Sequence, residues 1–445
     1  MAKPPSEQLT SDHGRGLALE TAPTMVAWYS LGVLTLTHVL SFVDRKLPFI
    51  LADSIKQDLQ LSDTQLGLVT GAMFAIVYST MAVPLGALAD RGSRKRIIAA
   101  AVVVWSSLTA AGGLAQNFWQ LGAARMGVAV GEAVLTPAAN SIIGDLFAHR
   151  YRARAIAIYF MGAQVGIISG LTFGGWINEM ADWRMAMFLL GAPGILVTLL
   201  IALTLREPQR VDHAARSRKE ATPGIASVVL QIMRQPTLVH LLVASALASI
   251  TNSGLQAFLP SHVIRTFHMG TTQIGLTYGM TLGMAGLIGV LLGGVGGDWL
   301  RRKGQWKAVA FVGAGEALAM PLIVLALLMD SYPAFLVLLF VSMLLGALNN
   351  GPTYATFHSL MKPNTHATAI AFYLLFVGGL GLAMGPIITG MLSDHMASMG
   401  SQASLQSALL ILMIPKLWAA THYILSALNL RKRERPGGDL ARSSA

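Results

Sequence analysis

Gly86-Ala87-Leu88-Ala89-Asp90-Arg91-Gly92-Ser93-Arg94-Lys95-Arg96 closes one long apolar run and opens the next. A weaker copy, Gly294-Val295-Gly296-Gly297-Asp298-Trp299-Leu300-Arg301-Arg302-Lys303, follows 208 residues later. Small residues, one acid and a basic cluster thus sit between two apolar runs, once in each half of the chain. A second repeat supports the duplication. Arg152-Ala153-Arg154-Ala155-Ile156-Ala157-Ile158-Tyr159 matches His366-Ala367-Thr368-Ala369-Ile370-Ala371-Phe372-Tyr373. Two repeats in the same order describe two parallel halves.

Of the 445 residues, 54% are hydrophobic and 12% charged. Apolar windows of about 20 residues recur along the whole length, each long enough for one helix across a bilayer. Twelve are expected, from 26–51 to 405–429. Runs this long and continuous exclude barrel strands, the other way to satisfy backbone polar groups in lipid. The fold class is therefore an all-α membrane protein of twelve transmembrane helices in two six-helix bundles. The expected organisation is a cytoplasmic tail at 1–25, a bundle at 26–205, a linker at 206–236, a second bundle at 237–430 and a tail at 431–445. Residues 1–25 are polar and carry Pro4, Pro5 and Pro23, so a cleaved signal is not expected there.

With a cytoplasmic N-terminus, 25 of the 32 Lys and Arg fall on cytoplasmic termini and loops. Lys46, Lys56, Arg184 and Arg265 are assigned to the other side, and Arg45, Arg125 and Lys416 to the spans. This is the positive-inside bias. The net charge of +11 then reflects orientation and anionic lipid rather than nucleic acid, which is not expected as a partner. The chain has no cysteine, so disulfides and thiol catalysis are excluded, and it carries no paired-histidine metal motif. No phosphate-binding loop for ATP is present. Catalytic and metal sites are expected to be absent.

Charge inside the spans is scarce and therefore informative. Asp44 and Arg45 lie in the first, Arg125 and Glu132 in the fourth. The latter two are seven residues apart, nearly two turns, and project from one face about 10 Å apart. Intramembrane ionisable groups pair, face cavities and mark ion or substrate paths. A proton relay through Asp44 and Glu132, in which protonating Glu132 frees Arg125 from its bridge, and a static Arg–Glu bridge holding the first and fourth spans together both fit. Arg45 and Arg125 are candidates for an anionic substrate. Asn252, Phe258, Asn350, Tyr354 and Phe376 are candidates to complete a cavity from the second half, although each also serves as an interhelical bond or interface aromatic. Asp90, Arg94 and Asp145 sit at three helix ends on one side and are expected to form a charge cluster, with Asp298 and Arg302 as counterparts. Ser62-Asp63-Thr64-Gln65 reads as a capping box opening the second span. Gly279, Gly283, Gly286, Gly289 and Gly293 give the eighth span a closely approaching face.

The opening stretch resembles the signature loop between the second and third helices of the major facilitator superfamily. That resemblance implies alternating access around a site between the halves, with Asp90, Arg94 and Asp145 locking the inner gate. Ser41-Phe42-Val43-Asp44-Arg45 is similar to the first-helix N-Y-M-D-R stretch of the Spinster family. Arg125-Met126-Gly127-Val128-Ala129-Val130-Gly131-Glu132-Ala133 is similar to its R-G-x-x-G-x-G-E-A stretch. Phe147 to Ala155, Trp183-Arg184 and Arg206-Glu207-Pro208 fit as well. Ser41, Met126 and Ala129 depart from the pattern; the acidic and basic positions do not. In this fold spans nine and twelve are neighbours, so Glu316 and Lys416 are expected to pair.

The resemblance implies a secondary transporter, not an enzyme, for an amphiphilic or anionic small molecule of lysolipid or sphingolipid type. The coupling ion is expected to be the proton, with no other cofactor. The alternatives are a carrier of small organic anions such as sugar acids, or a multidrug exporter. A monomer in a bacterial inner membrane is expected, with both termini cytoplasmic. A lipid-modifying enzyme would need a catalytic constellation that the sequence lacks.

Overall fold

The computed structural model describes residues 23–208, 225–362 and 365–434, with the side chains of Asp90, Asn350 and Ala367 outside the description. Twelve helical spans run Met25–Ile50, Asp63–Ala89, Arg94–Gly112, Phe118–Leu146, His149–Met180, Trp183–Thr204, Pro236–Phe267, Thr271–Arg301, Gln305–Leu327, Tyr332–Leu360, Thr368–Ser398 and Ser404–Glu434. They are numbered 1 to 12 below. The last runs four residues past the expected boundary at 430. Within the expected linker, Ile225–Met233 is a short helix that buries Val228 and Ile232.

Local signals set the helix starts. Ser62 Oγ accepts from the Gln65 backbone at 3.2 Å, and Gln65 Oε1 accepts from the Ser62 backbone at 2.9 Å. The capping box therefore forms as read. Prolines set the breaks. Span 4 is interrupted at Val134, three residues before Pro137. Span 10 is interrupted just before Asn350, two residues ahead of Pro352. A proline has no N–H to give and its ring clashes with the preceding turn. Spans 2 and 11 each carry a widened π turn, at Leu68–Ala72 and Leu374–Gly379. Such turns recur at functional sites.

The apolar cores divide unequally along the helices. The basic segments 90–96, 147–154 and 301–304, where spans end and begin, mark one face, called the basic face here. Toward it each half has its own core: one built from Leu31, Trp105, Ile142 and Ile201, the other from Leu238, Val312, Phe357 and Tyr423. Toward the opposite face a single core runs through both halves and includes Leu47, Ile50 and Leu171 with Leu255, Phe258 and Ile274. The halves are thus joined at the opposite face and parted at the basic one. Val83 of span 2, near the basic face, is 71% exposed.

Glycines make the junction possible. In span 8, Gly275 packs its backbone against the Leu171 carbonyl of span 5, and Gly279 and Gly283 continue the seam along Leu171 and Ile168. In span 2, Gly67 and Gly71 pack on Pro386 of span 11. Small residues let backbones approach where lipid supplies no hydrophobic drive. A Cβ at Gly275 has no room. Gly275→Val is therefore expected to weaken opposite-face closure by about 1–3 kcal/mol, which shifts a two-state ratio roughly 5- to 150-fold. Since the chain has no cysteine, one introduced at Leu382 reports the shift. Its labelling by an impermeant reagent from the opposite face should rise in Gly275→Val; unchanged labelling contradicts the assignment.

Candidate functional site

Three consecutive charged residues of span 1 point in three directions, because successive residues on a helix turn by about 100°. Arg45 reaches span 4: its Nη2 donates to Glu132 Oε2 at 2.6 Å and its Nε at 3.1 Å. Ser41, one turn earlier on the same face, donates to the same oxygen at 3.0 Å. The Glu132 side chain is fully buried, while that of Arg45 is 15% exposed. The Arg45 guanidinium also lies 4.9, 5.0 and 4.7 Å from the ring centres of Phe42, Phe74 and Tyr78. Aromatic faces stabilise a cation where water is scarce. Asp44 is buried beside Arg125, whose Nη1 donates to the Asp44 carbonyl at 3.2 Å.

These contacts correct one reading. The partner of Glu132 is Arg45, not Arg125. Two residues seven apart on one helix share a face without touching, and Arg45 arrives from the neighbouring helix to fill the gap. Arg125 is buried away from open space and bears on the Phe74 ring at 5.1 Å.

Arg45 is also part of a cavity wall between the halves, of about 290 Å³. Lys46, Phe49, Thr70 and Phe74 line it from the first half. Span 7 contributes Ser245, Ser249, Asn252, Ser253 and Gln256, a polar stripe at helical spacing. Asn349, Tyr373 and Tyr423 complete the second half's side. Lys46 Nζ donates to Gln256 Oε1 at 2.6 Å, one bond from half to half. Among the expected second-half residues, Asn252 lines this space. Phe258 does not: it is 1% exposed within the shared apolar core. Phe376 stacks on Phe372, and Tyr354 meets Tyr373 edge-on from outside the lining. The Asn350 side chain is outside the described residues. The span 7 stripe was legible as a polar face; Lys46 was masked by its assignment to the outer side.

A second cavity of about 250 Å³ adjoins the first and shares Asn252, Gln256 and Asn349 with it. Lys416 lines it, and its Nζ donates to Glu316 Oε2 at 2.6 Å, so the expected pair forms. Asn349 donates to the other Glu316 oxygen at 2.8 Å.

At the basic face Arg94 and Asp145 form an ion pair, as expected. Arg94 also donates to Ser141 Oγ at 2.9 Å and to the Pro208 carbonyl at 3.0 Å. Glu207 is the unforeseen member. Its Oε1 accepts the Arg94 backbone N–H at 2.7 Å and its Oε2 accepts from Ser93, so the carboxylate caps span 3. Anions are favoured at helix N-termini. Burial acts to raise the Glu207 pKa, but these bonds and the Arg94 charge outweigh it and hold the carboxyl below its ordinary 4.5. The Asp90 side chain is outside the described residues. Every partner named here belongs to the first half or to the start of the linker that leaves it. Among the described residues the second-half copy does not reproduce the cluster: Asp298 pairs with Arg301 at 3.3 Å, both exposed, and the Arg302 backbone caps the end of span 8.

Among the described residues, the salt bridges that cross between halves include Arg265 with Asp53 and Asp63, at the opposite face. Arg265 of span 7 donates to Asp53 at 2.7 Å and to Asp63 at 3.0 Å. Lys56 and Ser393 also donate to Asp63, at 2.5 and 2.6 Å. Asp394 of span 11 accepts from the backbone of Asp63 and Thr64 at 3.0 and 2.8 Å, capping span 2 from the other half. None of these acids was singled out as a gate in the sequence.

Two six-helix bundles, closed over a midplane cavity at one face and parted at the other, define a membrane transporter rather than an enzyme. The sequence model of the Major Facilitator Superfamily matches residues 34–386. The chain belongs to that superfamily and is Spinster-like within it. It is 30% identical to an MFS-type efflux pump of Mycolicibacterium smegmatis over 91% of this chain and 94% of the relative. It is 25% identical to the sphingosine-1-phosphate transporter SPNS2 of Xenopus tropicalis, over 84% and 75%. Among solved structures, a bacterial homologue of the human lysosomal transporter Spinster, inward-facing and unoccupied, matches with a TM-score of 0.82. The two are 28% identical, with 92% of this chain and 99% of that one covered.

Arg94→Ala is expected to lower stability by about 3 kcal/mol or more, since it strands a buried carboxylate and frees two helix ends. Thermal unfolding of the purified chain measures this. The Glu207 contribution carries its own pH signature. A group with a depressed folded pKa stabilises the fold above its unfolded value and loses that effect as pH falls through the folded one. Acidification below pH 4.5 should therefore loosen the first-half clamp in the parent, and Glu207→Gln should remove that part of the acid response.

Proposed function

We propose that the chain is a proton-coupled secondary transporter for an anionic, amphiphilic small molecule, working by alternating access between its two halves. The observation that carries this reading is the double position of Arg45. It holds Glu132 on one side and faces the cavity on the other. A proton on Glu132 weakens that pair, and the guanidinium becomes available to a substrate anion. Proton and substrate then act through one cation. Asp44 aids the transfer, and Arg125 holds the Asp44 segment of span 1 in place. The aromatic faces around Arg45 keep the charge tolerable while its partner changes.

The substrate class follows from the lining. Cations, hydroxyls and amides line it together with the apolar Phe49, Phe74, Leu374, Val377 and Leu382. That mixture suits a molecule with a charged head and an apolar body, as does the similarity to a sphingosine-1-phosphate transporter. Export of such compounds is the second reading, supported by the likeness to an efflux pump. The first-half clamp of Arg94, Asp145 and Glu207 keeps the basic-face ends of spans 3, 4 and 6 rigid, so that this half rocks as one body against the other. With the Lys/Arg bias, the basic face is cytoplasmic, in a bacterial inner membrane. A monomer suffices, since the cavity is complete within one chain.

Glu132→Gln is expected to abolish uptake driven by a proton gradient in proteoliposomes while leaving substrate exchange. Arg45→Gln should impair binding itself. Gradient-driven uptake that survives in the Asp44→Asn, Glu132→Gln double variant contradicts the coupling scheme and reduces these residues to a structural bridge.

A further inference from the structure

Lys46 stands apart from the other buried charges. Asp44, Arg45, Arg125 and Glu132 form one cluster between spans 1 and 4, with two acids and two arginines. Lys46 points the other way and forms no ion pair with a carboxylate among the described residues. It is 7% exposed. Its Nζ has one acceptor, Gln256 Oε1 at 2.6 Å, and lies 4.7 Å from the Phe49 ring centre. An ammonium carries three donors. Among the described residues one oxygen accepts from them, and Lys46 lines the cavity. An uncompensated cation at this depth is unfavourable and marks a ligand path. With Lys46 counted, the walls and their supporting cluster hold three cations against two acids.

We infer that Lys46 is an anion-binding position for the head group of the substrate, and that the bound anion takes over the ammonium from Gln256. The inference rests on the transport reading above and adds to it a second cation, distinct from Arg45. Gln256 belongs to span 7, in the other half. The Lys46–Gln256 bond therefore joins the halves beside the cavity. An anion with several acceptor oxygens satisfies more of the ammonium donors than one amide can. When it does so, the cross-half bond is released and the bundles are free to rock. Without the anion the bond persists and holds spans 1 and 7 together, which opposes movement of the empty carrier. Gln256 also borders the second cavity, so its released amide has polar neighbours in Asn252 and Asn349. The recognised chemistry is a phosphate or carboxylate; the apolar residues of the wall, Leu374, Val377 and Leu382 among them, favour one attached to a hydrocarbon chain.

The test uses the full chain in detergent and in proteoliposomes. Oleoyl lysophosphatidate and monooleoylglycerol differ by the phosphate alone, and inorganic phosphate and gluconate serve as free small anions. The parent should bind the lysophosphatidate and not the neutral lipid. Lys46→Gln should weaken that binding about tenfold or more, and Lys46→Arg should restore most of it. Preference for gluconate or inorganic phosphate over the lysophosphatidate, lost in Lys46→Gln, upholds the anion position and assigns it to a small anion. Gln256→Ala should raise opposite-face labelling of a cavity cysteine without any ligand, a readout that a packing role for Lys46 would not move. Equal binding of the charged and neutral lipids, unchanged anion affinity in Lys46→Gln, or no binding of any anionic probe to the parent overturns the proposal. The coupling scheme is judged separately. Lys46→Gln should raise KM while uptake still responds to the proton gradient, whereas Glu132→Gln should lose that response. Lost coupling in Lys46→Gln with KM unchanged would also overturn the anion position.

Discussion

Arg265 crosses from the second half to two carboxylates of the first, Asp53 and Asp63, and the cavity beneath depends on that crossing. It draws span 7 against the short helix Ala52–Leu59 after span 1 and against the start of span 2. Asp394 adds a second crossing by capping span 2 from span 11. Backbone-to-backbone glycine contacts then continue the seam toward the midplane. Desolvating such a network offsets much of its Coulomb attraction. It is strong enough to select one arrangement of the halves and weak enough to be exchanged for another.

The basic face is built differently. Its buried arginine, Arg94, is held by Asp145 and Ser141 of the first half and by Glu207 and the Pro208 carbonyl at the start of the linker. That arrangement stiffens a half without joining it to the other. One face therefore carries the exchangeable contacts and the other carries the rigid ones. Between them, Arg45 and Lys46 offer the cavity two cations with different holders, one inside the half and one across the boundary. In the scheme proposed above, a proton acts on the first holder and an anion on the second.

Much of this was legible in the chain. Twelve spans follow from apolar length alone, and the duplicated loop fixes two parallel halves. Asp44, Arg45, Arg125 and Glu132 stand out because charge is rare in lipid, and they do gather. Their pairing was not legible, because a helical spacing says which residues share a face and not which helix stands opposite. Arg45 and Ser41 meet Glu132 only through the contact of spans 1 and 4. Lys46 was counted on the outer side although it falls inside the expected first span, 26–51; which way it faces depends on span 7 standing opposite, and that was not legible. Glu207 and the group around Asp63 were missed because each joins segments far apart in sequence, Asp63 and Asp394 by 331 residues. The Asp298 and Arg302 repeat shows the converse, since similarity to the first loop does not bring partners with it.

The central claim is that the two faces open in opposition. Distances between paired spin labels measure it directly in this cysteine-free chain. One pair, at Gln57 and Met399, spans the halves at the opposite face; the other, at Arg96 and Lys362, spans them at the basic face. The account predicts a short opposite-face distance and a long basic-face distance in the resting chain. Substrate and acid should lengthen the first and shorten the second in the same proportion of molecules. Distances that stay fixed, or that lengthen together at both faces, would contradict it.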